Sequence, residues 1–152
     1  MTLYFAYGSN MSRIPMRARC PSAREVGTAT LAGHRLIVTS DGYASVVPEP
    51  GGTVHGLVWR LAPRDLAALN AYESLDTGLY RIATLPVRLG TRQVPAMVYL
   101  ARSQMPGLPR PGYLKRVLAA ARELDFPPAY IDALARWLPS APRRRRAPGE
   151  VA

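Results

Sequence analysis

Cysteine is nearly absent from this chain: Cys20 stands alone. An internal disulfide is excluded, and the composition suits a reducing compartment. Cys20 has no histidine near it in sequence and reads as a small packing residue, not a nucleophile. The two histidines, His34 and His55, have no cysteine or acidic cluster at ligand spacing, so they do not make a metal site. His55 shares a strand pattern with Leu57, Trp59 and Leu61 and reads as packing. No apolar run reaches the ~20 residues that a membrane-spanning helix needs. No basic stretch, apolar core and small-residue cleavage site precedes the first strand. These absences set the expectation of a soluble, cytoplasmic protein with no membrane partner.

Lysine is also scarce. Lys115 is the one lysine among 20 basic residues, which face 10 acidic ones for a net charge of +10. Arginine bias of this kind, with abundant alanine and proline, reads as genome composition and not as a specific nucleic-acid site. Arg143–Arg146 against Glu150 give the C-terminal segment +3, so the body still carries +7. Such a field favours anionic ligands and non-specific polyanions. The segment 139–152 is rich in proline and arginine, lacks periodicity and reads as a flexible tail. Residues 1–138 read as one domain, with 48% hydrophobic content over the 152-residue chain to build its core. There is no internal repeat, and monomer and homodimer both stay open.

What is present is organised around short strands. A strand is expected at 2–7, then a helix-like turn at 12–18 limited by Pro15. One or two strands follow at 25–40, split near Gly33, and another at Tyr43–Val47 before a Pro48–Gly52 turn. Residues 53–61 read as a strand, 63–73 as a helix, and 79–89 and 93–102 as strands joined at Gly90-Thr91. Pro86 and Pro95 point to edges or bulges. After a proline-rich loop at 104–111, Leu114, Val117, Leu118 and Ala121 stripe one helix, and Pro127-Pro128 open the last. Many strands with few helices between them argue for an α+β fold.

The run Tyr4-Phe5-Ala6-Tyr7-Gly8-Ser9-Asn10 carries the first chemical signal. Its alternating strand pattern stops abruptly in Gly-Ser-Asn. Gly8 permits backbone angles closed to other residues, and Ser9 and Asn10 are able to fix a turn through local hydrogen bonds. Successive N–H groups in such a turn make an anion cradle. The second signal is Glu73. Pro63 suits a first helical position, and Ala62, Leu66, Leu69 and Glu73 then share one face, apart from Arg64, Asp65 and Ala68. An acid thus ends an apolar stripe at the negative end of a helix. Burial and the helix dipole both raise a carboxyl pKa, which suits a group exchanging protons near neutrality. Equally open on this reading, Glu73 reaches solvent or pairs with Arg81. Ser9 lacks a histidine partner, which argues against a serine hydrolase.

In these segments the chain resembles the gamma-glutamylcyclotransferase family, including its AIG2-like branch. Tyr4–Asn10 resembles the family's N-terminal substrate loop, Pro21-Ser22-Ala23 follows at a similar distance, and Val54–Leu61 resembles the central strand. Leu69-Asn70-Ala71-Tyr72-Glu73 resembles the helix end that carries the catalytic glutamate. Gly78–Arg81, Tyr99-Leu100 and Pro111-Gly112-Tyr113 resemble later family segments, so the likeness spans residues 2 to 138. Ser74 stands where the family often has glycine, and Asn70 where it often has aspartate.

The resemblance implies a small closed or nearly closed mixed β-barrel flanked by helices, with a pocket at one opening under the Gly-Ser-Asn loop. It implies an enzyme that cyclises a small γ-glutamyl compound to 5-oxoproline and releases an amino acid or amine. Glu73 would be the catalytic acid and base, and Tyr7, Gly8, Ser9 and Asn10 would hold the substrate. Tyr113 would donate its hydroxyl to that substrate, while Tyr80 and Tyr99 would line the pocket or orient Glu73, or serve as core aromatics. No cofactor, metal or covalent intermediate is required. The alternative is a non-catalytic module that binds a small metabolite in the same pocket. Specific nucleic-acid binding has no aromatic-interleaved motif to support it.

Overall fold

A computed structural model describes residues 2–73 and 78–139. The strands are β1 (Thr2–Ala6), β2 (Arg24–Val38), β3 (Ala44–Leu61), β4 (Tyr80–Leu89) and β5 (Arg92–Ala101). The helices are α1 (Arg13–Arg19), α2 (Pro63–Tyr72), α3 (Tyr113–Glu123) and α4 (Pro128–Ala135), with a 3-10 turn at Ser9–Met11. The strands close a barrel in the order β1-β3-β2-β4-β5. All neighbours are antiparallel except β1 and β5, whose parallel contact at Tyr4 and Met97 completes the ring. The fold is α+β, a closed mixed barrel flanked by helices. The proposed tail beyond Pro139 and the Ser74 position lie outside the described residues.

Phe5 on β1 and the consecutive Leu57, Val58 and Trp59 on β3 are all fully buried, and since successive strand residues face opposite sides of the sheet, β3 is covered on both faces here. Each such burial contributes on the order of 1.5–3 kcal/mol. Gly56 is demanded by this packing: a Cβ there would meet the Ala6 carbonyl oxygen at 2.4 Å and the Phe5 ring at 2.6 Å.

Several expected boundaries move. β2 is one strand, not two; near Gly33 its register shifts but the pairing resumes, with Ala32 opposite Thr53 and His34 opposite Pro48. The expected Pro48–Gly52 turn does not separate two strands, because β3 runs continuously through it. Residues 49–52 face Gly33 alone across the pair. Gly33 and Gly51 at φ +72° and +76° absorb the mismatch. Pro86 and Pro95 oppose each other in an unbroken β4–β5 register, so they mark no bulge. Pro15 sits inside α1, within the first turn, where an amide N–H has no helical acceptor.

Helix α2 also holds a correction. Asp65, expected away from the packed face, is 1% exposed. Its carboxylate accepts from the backbone N–H of Ala62 at 3.0 Å and of Ser22 at 3.2 Å. It therefore caps its own helix and ties that helix to the segment following α1. His55 packs as expected, its ring against Phe126 and Tyr130 with centroids 5.4 and 4.7 Å away, and its partial burial lowers its pKa.

Candidate active site

A cavity of about 150 Å³ opens where the end of β1, the start of β3, the end of α2, the start of β4, the end of β5 and the start of α3 converge. Six of the residues picked out from sequence line it: Tyr7, Gly8, Ser9, Tyr80, Tyr99 and Tyr113, together with Glu73. Tyr4, Tyr43 and Tyr72 complete an unusually phenolic wall. Glu73 is the acidic side chain among the described lining residues. Glu73 takes the position following the last residue of α2, with its N–H on the Leu69 carbonyl at 2.8 Å.

Asn10 is placed differently from the other loop residues. It is buried, and its amide is engaged by protein groups: Nδ2 donates to Glu73 Oε1 at 3.1 Å and to the Tyr4 hydroxyl at 2.9 Å. Its Oδ1 accepts from the guanidinium of Arg19 at 2.5 Å, and its backbone carbonyl accepts from the Trp59 indole at 3.1 Å. Among the described residues, the hydrogen-bond partner of Glu73 is thus Asn10 and not Arg81, which is exposed on β4. Burial raises the Glu73 pKa to about 7, against the opposing pull of the Arg19 charge and the Asn10 hydrogen bond.

The tyrosines separate by where their hydroxyls point. Tyr7 donates to the Tyr99 carbonyl, Tyr80 to the Ala44 carbonyl at 2.8 Å, and Tyr99 to Asn70 Oδ1 at 2.6 Å. These three hold the walls together. Tyr113 instead accepts, from the Ala44 N–H at 3.2 Å, and among the described residues it makes no donation. Its pKa is raised by burial, against the backbone N–H groups of Ala44 and Ser9 that pull it down. Its hydroxyl therefore keeps its proton, and among the described residues no acceptor takes it. Gly8 allows this placement, since a Cβ on Gly8 would stand 2.8 Å from the Tyr113 oxygen.

Residues 4–116 match the family model described as gamma-glutamyl cyclotransferase, AIG2-like. The chain belongs to this family. It is accordingly a cyclotransferase, an enzyme. The gamma-glutamylcyclotransferase of Mus musculus is 28% identical over 145 residues, covering 87% of this chain and 76% of the mouse protein. That of Homo sapiens matches to the same extent. A solved structure named gamma-glutamyl cyclotransferase aligns with a TM-score of 0.83 at 26% identity, over 96% of this chain and 93% of that one.

Two groups around the cyclotransferase cavity escaped the sequence reading. Arg19 sits on α1 and contacts the glutamate's partner from behind. Nothing local marks it among so many arginines. Tyr43 meets the Tyr113 ring edge-on at 5.3 Å, a contact between residues seventy positions apart that no periodicity announces. Among the described residues, no group of three or more His, Cys, Asp or Glu is placed to hold a metal ion, and no helix is long and apolar enough to cross a membrane.

Proposed function

We propose that this enzyme cyclises a γ-glutamyl compound to 5-oxoproline, releasing an amino acid or amine, with Glu73 as the proton carrier. The observation that supports it most is a partly buried carboxyl with a pKa near 7, facing a cavity whose other polar groups are phenols and the Gly8-Ser9 backbone. A carboxyl so poised takes and returns protons at neutral pH.

The chemistry follows from the substrate's own connectivity. The α-amine attacks the γ-carbonyl carbon, a C–N bond forms, and the C–N bond to the leaving amine breaks. Over one turnover the attacking nitrogen loses two protons and the leaving nitrogen gains two, and Glu73 carries both in turn. Nucleophile and electrophile lie on one molecule, so the site needs chiefly to fold the substrate into its reactive conformer. Tyr113 donates its hydroxyl to a substrate oxygen, and Gly8 and Ser9 let the substrate approach the main chain. Tyr7, Tyr80 and Tyr99 shape the wall, and Asn10 holds Glu73.

The test is release of 5-oxoproline from γ-glutamyl amino acids, γ-glutamylamines and glutathione, with wild type beside Glu73→Gln. Release by wild type alone supports the assignment and identifies the leaving group. Binding without release by wild type would favour a metabolite-binding module. We assign the catalytic unit to residues 1–138, in the cytoplasm; a chain ending at Leu138 retains turnover if so.

A further inference from the structure

We infer that Arg19 is a positioning residue that governs when Glu73 is able to act as a base, working through the amide of Asn10. The inference rests on the role proposed for Glu73. Arg19 is absent from the cavity wall formed by the described residues, yet it lies one side chain away from the carboxylate. Its guanidinium donates to Asn10 Oδ1, which settles the orientation of that amide: the opposite end, Nδ2, has to face Tyr4 and Glu73. A flipped amide would set its oxygen against the carboxylate and leave two N–H donors facing a cation.

The guanidinium is itself held. It lies over the Tyr72 ring, 3.4 Å from the centroid, and Tyr72 lines the cavity one residue before Glu73. A planar cation satisfies a stacked and a hydrogen-bonded position together, which an ammonium does less well. Helix α2 has no basic residue in its last turn, so the cation beside its C-terminal end comes from α1. The other groups that face Glu73 are phenols with raised pKa values: Tyr4 from β1, Tyr7 at its end, Tyr80 from β4, Tyr99 from β5 and Tyr113 from α3. They are neutral in the working range, so Arg19 is the charged partner of Glu73 among the described residues.

Proton abstraction needs the carboxylate. Removing a nearby cation and loosening the Asn10 donor both favour the protonated acid, so the Glu73 midpoint rises. The experiment labels glutamate carboxyls with carbon-13 and follows Glu73 by NMR titration without substrate, using Glu73→Gln to identify its signal. Wild type, Arg19→Lys and Arg19→Met are compared, and the pH profile of kcat for 5-oxoproline release is recorded in parallel. Arg19→Met is expected to move the midpoint and the acidic limb of kcat upward together. On that limb kcat falls about tenfold for each pH unit the midpoint climbs, and it recovers at high pH. Arg19→Lys is expected to fall between the two. An unmoved Glu73 midpoint in folded Arg19→Met overturns the inference even where turnover is intact. Arg19→Gln is read in the same way should the Met variant not fold. Because the titration needs no substrate, it decides the role of Arg19 even if no γ-glutamyl compound is turned over.

Discussion

The indole N–H of Trp59 donates to the backbone carbonyl of Asn10 at 3.1 Å. Trp59 is fully buried, so a core side chain of β3 holds the residue that in turn holds Glu73. A loop over a cavity is ordinarily the mobile part of a site. Here its carbonyl is fixed from the core. Trp59→Phe keeps most of the ring and removes the donor. It is expected to cost about 1–3 kcal/mol in urea unfolding, because a buried carbonyl loses its partner. Turnover is expected to fall as well, and unchanged kcat would separate Trp59 from the site.

The Tyr113 hydroxyl occupies the space that a side chain at position 8 would need. Gly8→Ala places a Cβ 2.8 Å from the Tyr113 oxygen, so the hydroxyl has to move. The expected result is a raised KM with a modest stability loss of about 1–3 kcal/mol, in the range of overpacked cores. Tyr113→Phe removes the obstructing atom. The double variant is therefore expected to be more stable than the sum of the single effects, which a double-mutant cycle reads directly.

The pH dependence of activity and of stability should run in opposite directions. With Glu73 as the proposed base, activity is expected to rise as pH passes through about 7, the Glu73 value in the fold. Stability behaves otherwise, because the folded state holds the Glu73 proton more tightly than the unfolded chain, whose value is 4.5. The contribution is full below 4.5 and is lost as pH rises to about 7, by up to about 3 kcal/mol. Glu73→Gln removes the ionisation. It should be inactive yet more stable than wild type at about pH 8, with the difference shrinking toward about pH 5. Equal stability curves for the two proteins would contradict this.

Asp65 offers a control away from the cavity. Asp65→Ala removes the acceptor for the Ala62 and Ser22 N–H groups. A loss of about 1–2 kcal/mol is expected, as for other helix caps. Calorimetry measures it directly. The Glu73 midpoint is expected to move little, since Asp65 lies at the opposite end of α2.

Much of the fold and site was legible locally. The alternation in Leu3–Tyr7, the Gly8-Ser9-Asn10 stop, Pro63 at the head of a helix and an acid at its end are features of neighbouring residues. So is the apolar stripe of α3, whose Leu114, Val117, Leu118 and Ala121 are all buried. The errors came where a long-range partner overrode a local signal. The prolines and glycines of 48–52 read as a turn, but pairing with β2 on both sides keeps them within one strand. Asp65 reads as lying off the apolar face of its helix until Ser22 is brought against it.

The family, most of the elements and the choice of Glu73 as a candidate that the fold then places on the cavity follow from the chain alone, because period, turn chemistry and motif are short-range properties. Barrel closure settled what remained. It set Asn10 against Glu73 across 63 residues and brought Arg19 behind them both. It turned Tyr7, Tyr80 and Tyr99 toward wall acceptors and left the Tyr113 hydroxyl accepting from Ala44 without a donation of its own among the described residues. A hydroxyl's partner depends on which strand ends meet at the barrel mouth, and no local pattern encodes that.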